Sequence, residues 1–125
     1  MEARVEIEAE TLRLAKALYS LRRRRDSALN IKSLVGEPAW DILLDLYIAH
    51  VSRADLQVSS VCIEAGVPST TILRWIARLE REGLVYRTAD SGDARRRHVR
   101  LTQQGYDTML RVLRAIHRTG EFPLR

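Results

Sequence analysis

Residues 56–102 change their period twice, and nothing else in the chain limits its possible folds as strongly. Leu56-Gln57-Val58 is a short strand pattern, and Ser59 is placed to cap a helix by accepting from its first free N–H groups. Ser60–Ala65 supplies a short helix before Gly66, which suits a tight turn. Pro68 then opens a second helix over Ser69–Glu82, with Gly83 just past its end. Beyond it the apolar spacing alternates. Leu84–Arg87 and Arg97–Leu101 read as two strands bracketing the polar tip Thr88-Ala89-Asp90-Ser91-Gly92-Asp93. Two helices across a tight turn, then a basic hairpin, make the layout of a winged helix-turn-helix.

The flanks supply the rest of a core. Residues 4–25 have helical spacing, with Ile7, Leu14, Leu18 and Leu21 in a narrow stripe that packs on the domain's own body or on a second copy. Arg22-Arg23-Arg24-Arg25 closes that helix, where cations complement the dipole, and reads as a solvated end, with a phosphate-contacting patch as the alternative. Gly36-Glu37-Pro38 breaks the chain and starts the next helix. Trp40, Leu43, Leu44, Tyr47, Ile48 and Val51 line one face of it, Ile42, Leu46 and Ala49 a second, leaving Asp41 and Asp45 on a thin polar strip. A helix apolar on most sides belongs at the centre. Thr102 caps a last helix with Tyr106, Met109, Leu110, Leu113 and Ile116 on one face, and Gly120 and Pro123 end it. The expected fold is mainly α with a small antiparallel β-wing, one domain over 1–125. Its N-terminal helix falls within 4–30, its winged core spans 38–102 and its C-terminal helix 102–119.

Charge bears on the partner. The chain carries a formal net charge of +5, and all but two of its 21 basic residues are arginine. An excess of cations favours an anionic partner, because neutralising phosphates releases condensed counterions. Arginine abundance alone also follows from a GC-rich genome, so the clustering of the arginines is the more informative feature. No apolar run approaches the length of a membrane span, the start MEARVEIEAE lacks a basic-then-apolar signal pattern, and one cysteine cannot form an internal disulfide. Together these point to a cytoplasmic protein.

On the second helix, Ile72, Trp75, Ile76 and Leu79 form the stripe expected to be buried, and Ser69, Thr70, Thr71, Arg74, Arg78 and Arg81 take the other side. Short hydroxyls at the leading end and arginines behind them are the chemistry a major-groove helix needs. Ser69, Thr70, Thr71 and Arg74 are the base-edge candidates. Arg78 and Arg81 sit further back, toward the phosphate backbone, unless Glu80 or Glu82 ties them up as surface ion pairs. At the hairpin tip, Arg95, Arg96 and Arg97 concentrate charge where a guanidinium can enter a minor groove. Strand alternation would put Arg95 and Arg97 on one face and Arg96 on the other, and Asp93 is placed to hold an arginine in one rotamer.

These residues resemble the winged helix of the MarR (multiple antibiotic resistance repressor) family. The resemblance rests on Ile72-Leu73-Arg74-Trp75-Ile76-Ala77-Arg78-Leu79-Glu80-Arg81-Glu82-Gly83-Leu84-Val85, then on Asp93-x-Arg95 leading to Val99-x-Leu101-Thr102-x-x-Gly105. It implies that the helix over Ser69–Glu82 reads the major groove, and that Arg95 enters the minor groove braced by Asp93. It further implies a homodimer on pseudo-palindromic duplex DNA, often released by a small aromatic ligand or an oxidant. Members commonly build the dimer with a long C-terminal helical pair. Here the last helix ends near Thr119 with Gly120–Arg125 after it, so dimerisation would fall to residues 4–25 and that helix, and no effector is assigned.

Other chemistry is thin. Cys62 lies beside Val61, Ala65 and Val67 and reads as a small core residue. His50, His98 and His117 fall on separate elements with no second ligand at helical spacing, so no metal and no cofactor is expected. Trp40 and Trp75 read as core. No phosphate loop, nucleophile elbow or paired catalytic carboxylates appear, which argues against an enzyme. The function expected is sequence-specific binding of double-stranded DNA in transcription regulation. A protein–protein adaptor and a sequence-tolerant architectural DNA binder are the alternatives.

Overall fold

The apolar faces read from the sequence converge on one central helix. The computed structural model describes residues 2–29, 38–65, 68–92 and 95–119, with side chains described for 3–21, 38–61, 68–92 and 95–117. In chain order the elements are α1 (Glu2–Leu29), α2 (Pro38–Val51), β1 (Leu56–Gln57), α3 (Val58–Ala65), α4 (Ser69–Arg81), β2 (Val85–Ala89), β3 (Arg97–Leu101) and α5 (Gln103–Thr119). α2 packs against α1, α3, α4, α5 and β3, and its Ile42, Leu44, Leu46 and Tyr47 are sealed from solvent. Each such side chain contributes about 1.5–3 kcal/mol relative to exposure. The expected polar strip is only half present, because Asp41 is buried at 7% exposure at the first turn of α2. A carboxylate there lies at the positive end of the helix dipole, which lowers the cost of covering it.

α1 starts two residues before the expected span, ends within it at Leu29, and lays Leu14, Ala15 and Leu18 into the core. Leu21, expected in the same stripe, is 51% exposed. It shares the helical phase of Leu14 and Leu18, so the described body of the domain does not reach that turn. Within the stripe, Thr11 is buried, its hydroxyl 2.6 Å from that of Tyr47. Thr11 also donates to the Ile7 carbonyl at 2.7 Å, which leaves the Tyr47 phenol to donate to Thr11. This joins α1 to α2 with every proton used.

The sheet has strand order β1-β3-β2, antiparallel throughout, with Leu56 opposite Val99 and Val85 opposite Leu101. Val85, Val99 and Leu101 point into the core, while Tyr86 and Arg100 face outward, as strand alternation requires. α3 begins at Val58, directly after β1, so Ser59 lies in its first turn and is not its cap. β1 ends once Gln57 has paired with His98, and half-buried Val58 turns straight onto the core. Gly66 lies outside the described residues.

α4 stops at Arg81, one residue short of expectation, with Glu82 as its C-cap. Gly83 follows at φ +79, its N–H bonded to the Glu80 carbonyl at 3.0 Å and the Leu84 N–H to Leu79 at 3.0 Å. A positive φ at this position suits glycine. The Thr102 cap holds: its Oγ1 accepts from the Gly105 N–H at 2.9 Å and donates to the Gly83 carbonyl at 2.6 Å. One hydroxyl thereby ties the start of α5 to the end of α4. Gly105 sits so close to the Leu84 carbonyl that a β-carbon there would collide with backbone.

Candidate nucleic-acid interface

α4 separates its chemistries sharply by face. Ile72, Ile76 and Leu79 are buried against the core. Ser69, Thr70, Arg74, Arg78 and Arg81 are exposed on the opposite side and Thr71 is half-buried at the boundary. Pro68 occupies the cap position without a side-chain hydrogen bond, and its carbonyl accepts from Thr71 N at 3.0 Å and Ile72 N at 3.2 Å. Thr71, Arg74, Ala77, Arg78 and Arg81, with Trp75, line an open cleft of about 390 Å³ on this face. Five of the six expected residues are thus exposed, and four of the six, Thr71, Arg74, Arg78 and Arg81, share one cleft.

One of the two carboxylates expected to neutralise Arg78 or Arg81 has another partner. Glu80 Oε1 accepts from Arg87 on β2, at 2.7 Å from Nη2 and 3.1 Å from Nε. Arg78 instead lies over the Trp75 ring, its guanidinium carbon 5.7 Å from the centroid. The reading of Trp75 as core is correct for one side of the indole only. The ring packs against the buried cluster but remains half-buried, with its outer side on the arginine cleft. Trp40 is likewise only partly buried.

The wing is narrower than expected, because pairing continues through Thr88–His98 and Ala89–Arg97. Arg95 and Arg96 therefore belong to the turn, and alternation orients only Arg97 onward. All three arginines are exposed. Asp93, the expected brace for Arg95, lies outside the described residues. The acid that visibly organises the loop is Asp90: its Oδ1 accepts from Gly92 N at 2.7 Å, its Oδ2 lies 3.1 Å from His98 Nε2, and its own N–H donates to the Arg96 carbonyl at 2.9 Å. Asp-Ser-Gly is a recognisable side-chain-to-backbone turn signature, so this residue was open to sequence reasoning.

Elsewhere the chemistry is sparse. A second cleft of about 290 Å³ lies between the end of α2 and the sheet, with Arg53, His50 and Tyr86 at its walls and an Arg100–Asp55 ion pair at its rim. Among the described residues no group of three His, Cys, Asp or Glu side chains could hold a metal ion, and no helix is long and apolar enough to cross a membrane. The side chains of Cys62 and Arg22–Arg25 lie outside those described.

No protein-family model matches the sequence, and no curated protein matches it. Solved structures do. MepR of Staphylococcus aureus, described as a transcription regulator of the multidrug efflux pump MepA, is 22% identical over 85% of this chain and 74% of its own, with a TM-score of 0.58. The MepR–DNA complex aligns at 19% identity over 84% of this chain and 83% of its own, with a TM-score of 0.59. The PcaV transcriptional regulator of Streptomyces coelicolor, solved with its natural ligand, is 30% identical over 69% of this chain, with a TM-score of 0.54, and this chain spans 58% of its length. The fold of this chain is the winged helix-turn-helix of the MarR-type regulators.

Proposed function

We propose that the protein is a sequence-specific regulator of transcription that binds double-stranded DNA, with α4 in the major groove and the wing over residues 88–97 in the minor groove. The observation that carries this reading is the outward face of α4. It presents three hydroxyls and three arginines, and one of the two flanking carboxylates, Glu80, is drawn away to Arg87. Ser69, Thr70, Thr71 and Arg74 then meet base edges, and Arg78 the backbone. Arg95 enters the minor groove, braced by Asp93, with Arg96 and Arg97 on flanking phosphates. The likeness to MepR, solved as a DNA complex, supports the same direction.

A second copy completes the site. Leu21 is 51% exposed on α1, beyond the turns that pack on the described body, which suits an apolar contact with a second copy. The test is an unbiased selection of bound duplexes on the purified full chain. A palindrome with half-sites about one helical turn apart is the expected outcome. A specificity ratio near one would favour an architectural binder, and loss of all DNA affinity at low salt an adaptor.

A further inference from the structure

Trp75 is oddly placed for a residue that serves only the core. By helical spacing Thr71, Trp75 and Arg78 follow one flank of α4, between the buried stripe and the outward row of Arg74 and Arg81. One side of the indole packs on the core, while the other is part of the arginine-lined cleft. The Arg78 guanidinium lies over the ring, its carbon 5.7 Å from the centroid, which keeps the cation beside an apolar surface.

We infer that Trp75 reads a base: its exposed edge, with the methyl of Thr71, forms an apolar contact for the 5-methyl group of one thymine in each half-site. This rests on the DNA-binding reading above and deepens it. In an intact duplex the bases are stacked, so only their edges are available to a helix in the major groove. Every polar group on those edges is a hydrogen-bond donor or acceptor, and covering one with the carbon edge of an indole removes its water without replacement. The thymine methyl is the one base-edge group that gains from such a cover. Arg78, over the ring and lining the same cleft, places a cation beside this contact.

A simpler role, a lid over Ile72, Ile76 and Leu79, makes the opposite forecast about DNA. The deciding experiment therefore alters the DNA. In the duplex recovered by selection, each thymine is replaced singly by deoxyuridine, which deletes the methyl and keeps every hydrogen-bonding group. At one position per half-site the affinity of the full chain falls about fourfold, the worth of one buried methyl. In a Trp75→Gln variant that retains its helical circular dichroism, the thymine-to-uracil ratio at that position collapses toward one. A selected site that is indifferent to every such replacement, or that contains no thymine, overturns the inference and leaves DNA binding standing. So does a ratio unchanged in Trp75→Gln. If no duplex is selected at all, the DNA-binding reading fails first and this one fails with it.

Discussion

Glu80 on α4 and Arg87 on β2 are joined through a single carboxylate oxygen, which accepts from both Nη2 and Nε of the guanidinium. The pair links the helix proposed for the major groove to the strand that leads into the wing. It is partly exposed, at 29% for Arg87 and 36% for Glu80, so solvent screens it. A double-mutant cycle of Glu80→Gln and Arg87→Gln, read by chemical denaturation, is expected to give a coupling of about 0.5–1 kcal/mol. The coupling shrinks as salt is raised. A coupling of zero at low salt would mean the two elements are positioned by the core alone.

Gly105 and Gly83 are both glycines at the edge of an element, and they should respond very differently to alanine. At Gly105 the added carbon meets the Leu84 carbonyl and comes within 3.3 Å of Leu101 Cδ2. The carbonyl is backbone, tied down by the Thr102 N–H at 3.0 Å, and cannot step aside cheaply. At Gly83 the obstacle is the far end of the Gln104 side chain at 3.1 Å, and the main penalty is the left-handed backbone. Gly105→Ala is expected to cost about 3 kcal/mol or more and Gly83→Ala about 1–2 kcal/mol, measured by urea unfolding. Equal losses would contradict this account of the α4–α5 junction.

Two stacked tyrosines set the alkaline limit of the fold. The Tyr47 and Tyr106 rings lie 5.8 Å apart, nearly parallel, beneath α1. Burial pushes the Tyr47 phenol above its usual pKa. Burial also raises Tyr106, with the nearby Glu8 carboxylate adding to the effect. In both cases the folded state holds its proton where the unfolded chain has lost it, so unfolding releases protons. Stability is therefore intact below the ordinary tyrosine pKa and falls as pH rises through the folded value. Melting curves between about pH 9 and pH 11 should show a declining midpoint, and Tyr47→Phe should flatten the decline.

How much of this the sequence carried can be argued residue by residue. Ile72, Ile76 and Leu79, the Gly83 stop and the Thr102 cap were legible because each depends on local spacing or one short-range hydrogen bond. Leu21 and Asp41 were not. Whether a correctly phased side chain is covered depends on where neighbouring helices end, which period alone does not encode. Ser59 failed for a related reason, since the register of Gln57 against His98 decided where α3 could start. At the site, residue types on α4 were readable, and the i, i+3 spacing of Trp75 and Arg78 allows their contact. The partner of Glu80 was not readable, because Arg87 reaches it through tertiary geometry. Asp90 was overlooked in favour of Asp93, although its turn signature lay in plain sequence.

The proposed division of labour between α4 and the wing yields two distinct losses of DNA binding. Arg95 is exposed in the wing turn, so its contribution in a minor groove is chiefly charge. Arg95→Ala should weaken every duplex to a similar degree and reduce the slope of log affinity against log salt by about one unit. Arg74 stands on the outward face of α4, four residues before Arg78, where a guanidinium can fork onto a guanine edge. Arg74→Ala should cost about 1–3 kcal/mol at particular base pairs and leave other positions unchanged. Binding measured over a salt series and against a library of singly substituted sites separates the two. A uniform loss from Arg74→Ala would move that residue to the phosphate backbone. An unchanged salt slope in Arg95→Ala would mean that the wing does not contribute charge to the duplex.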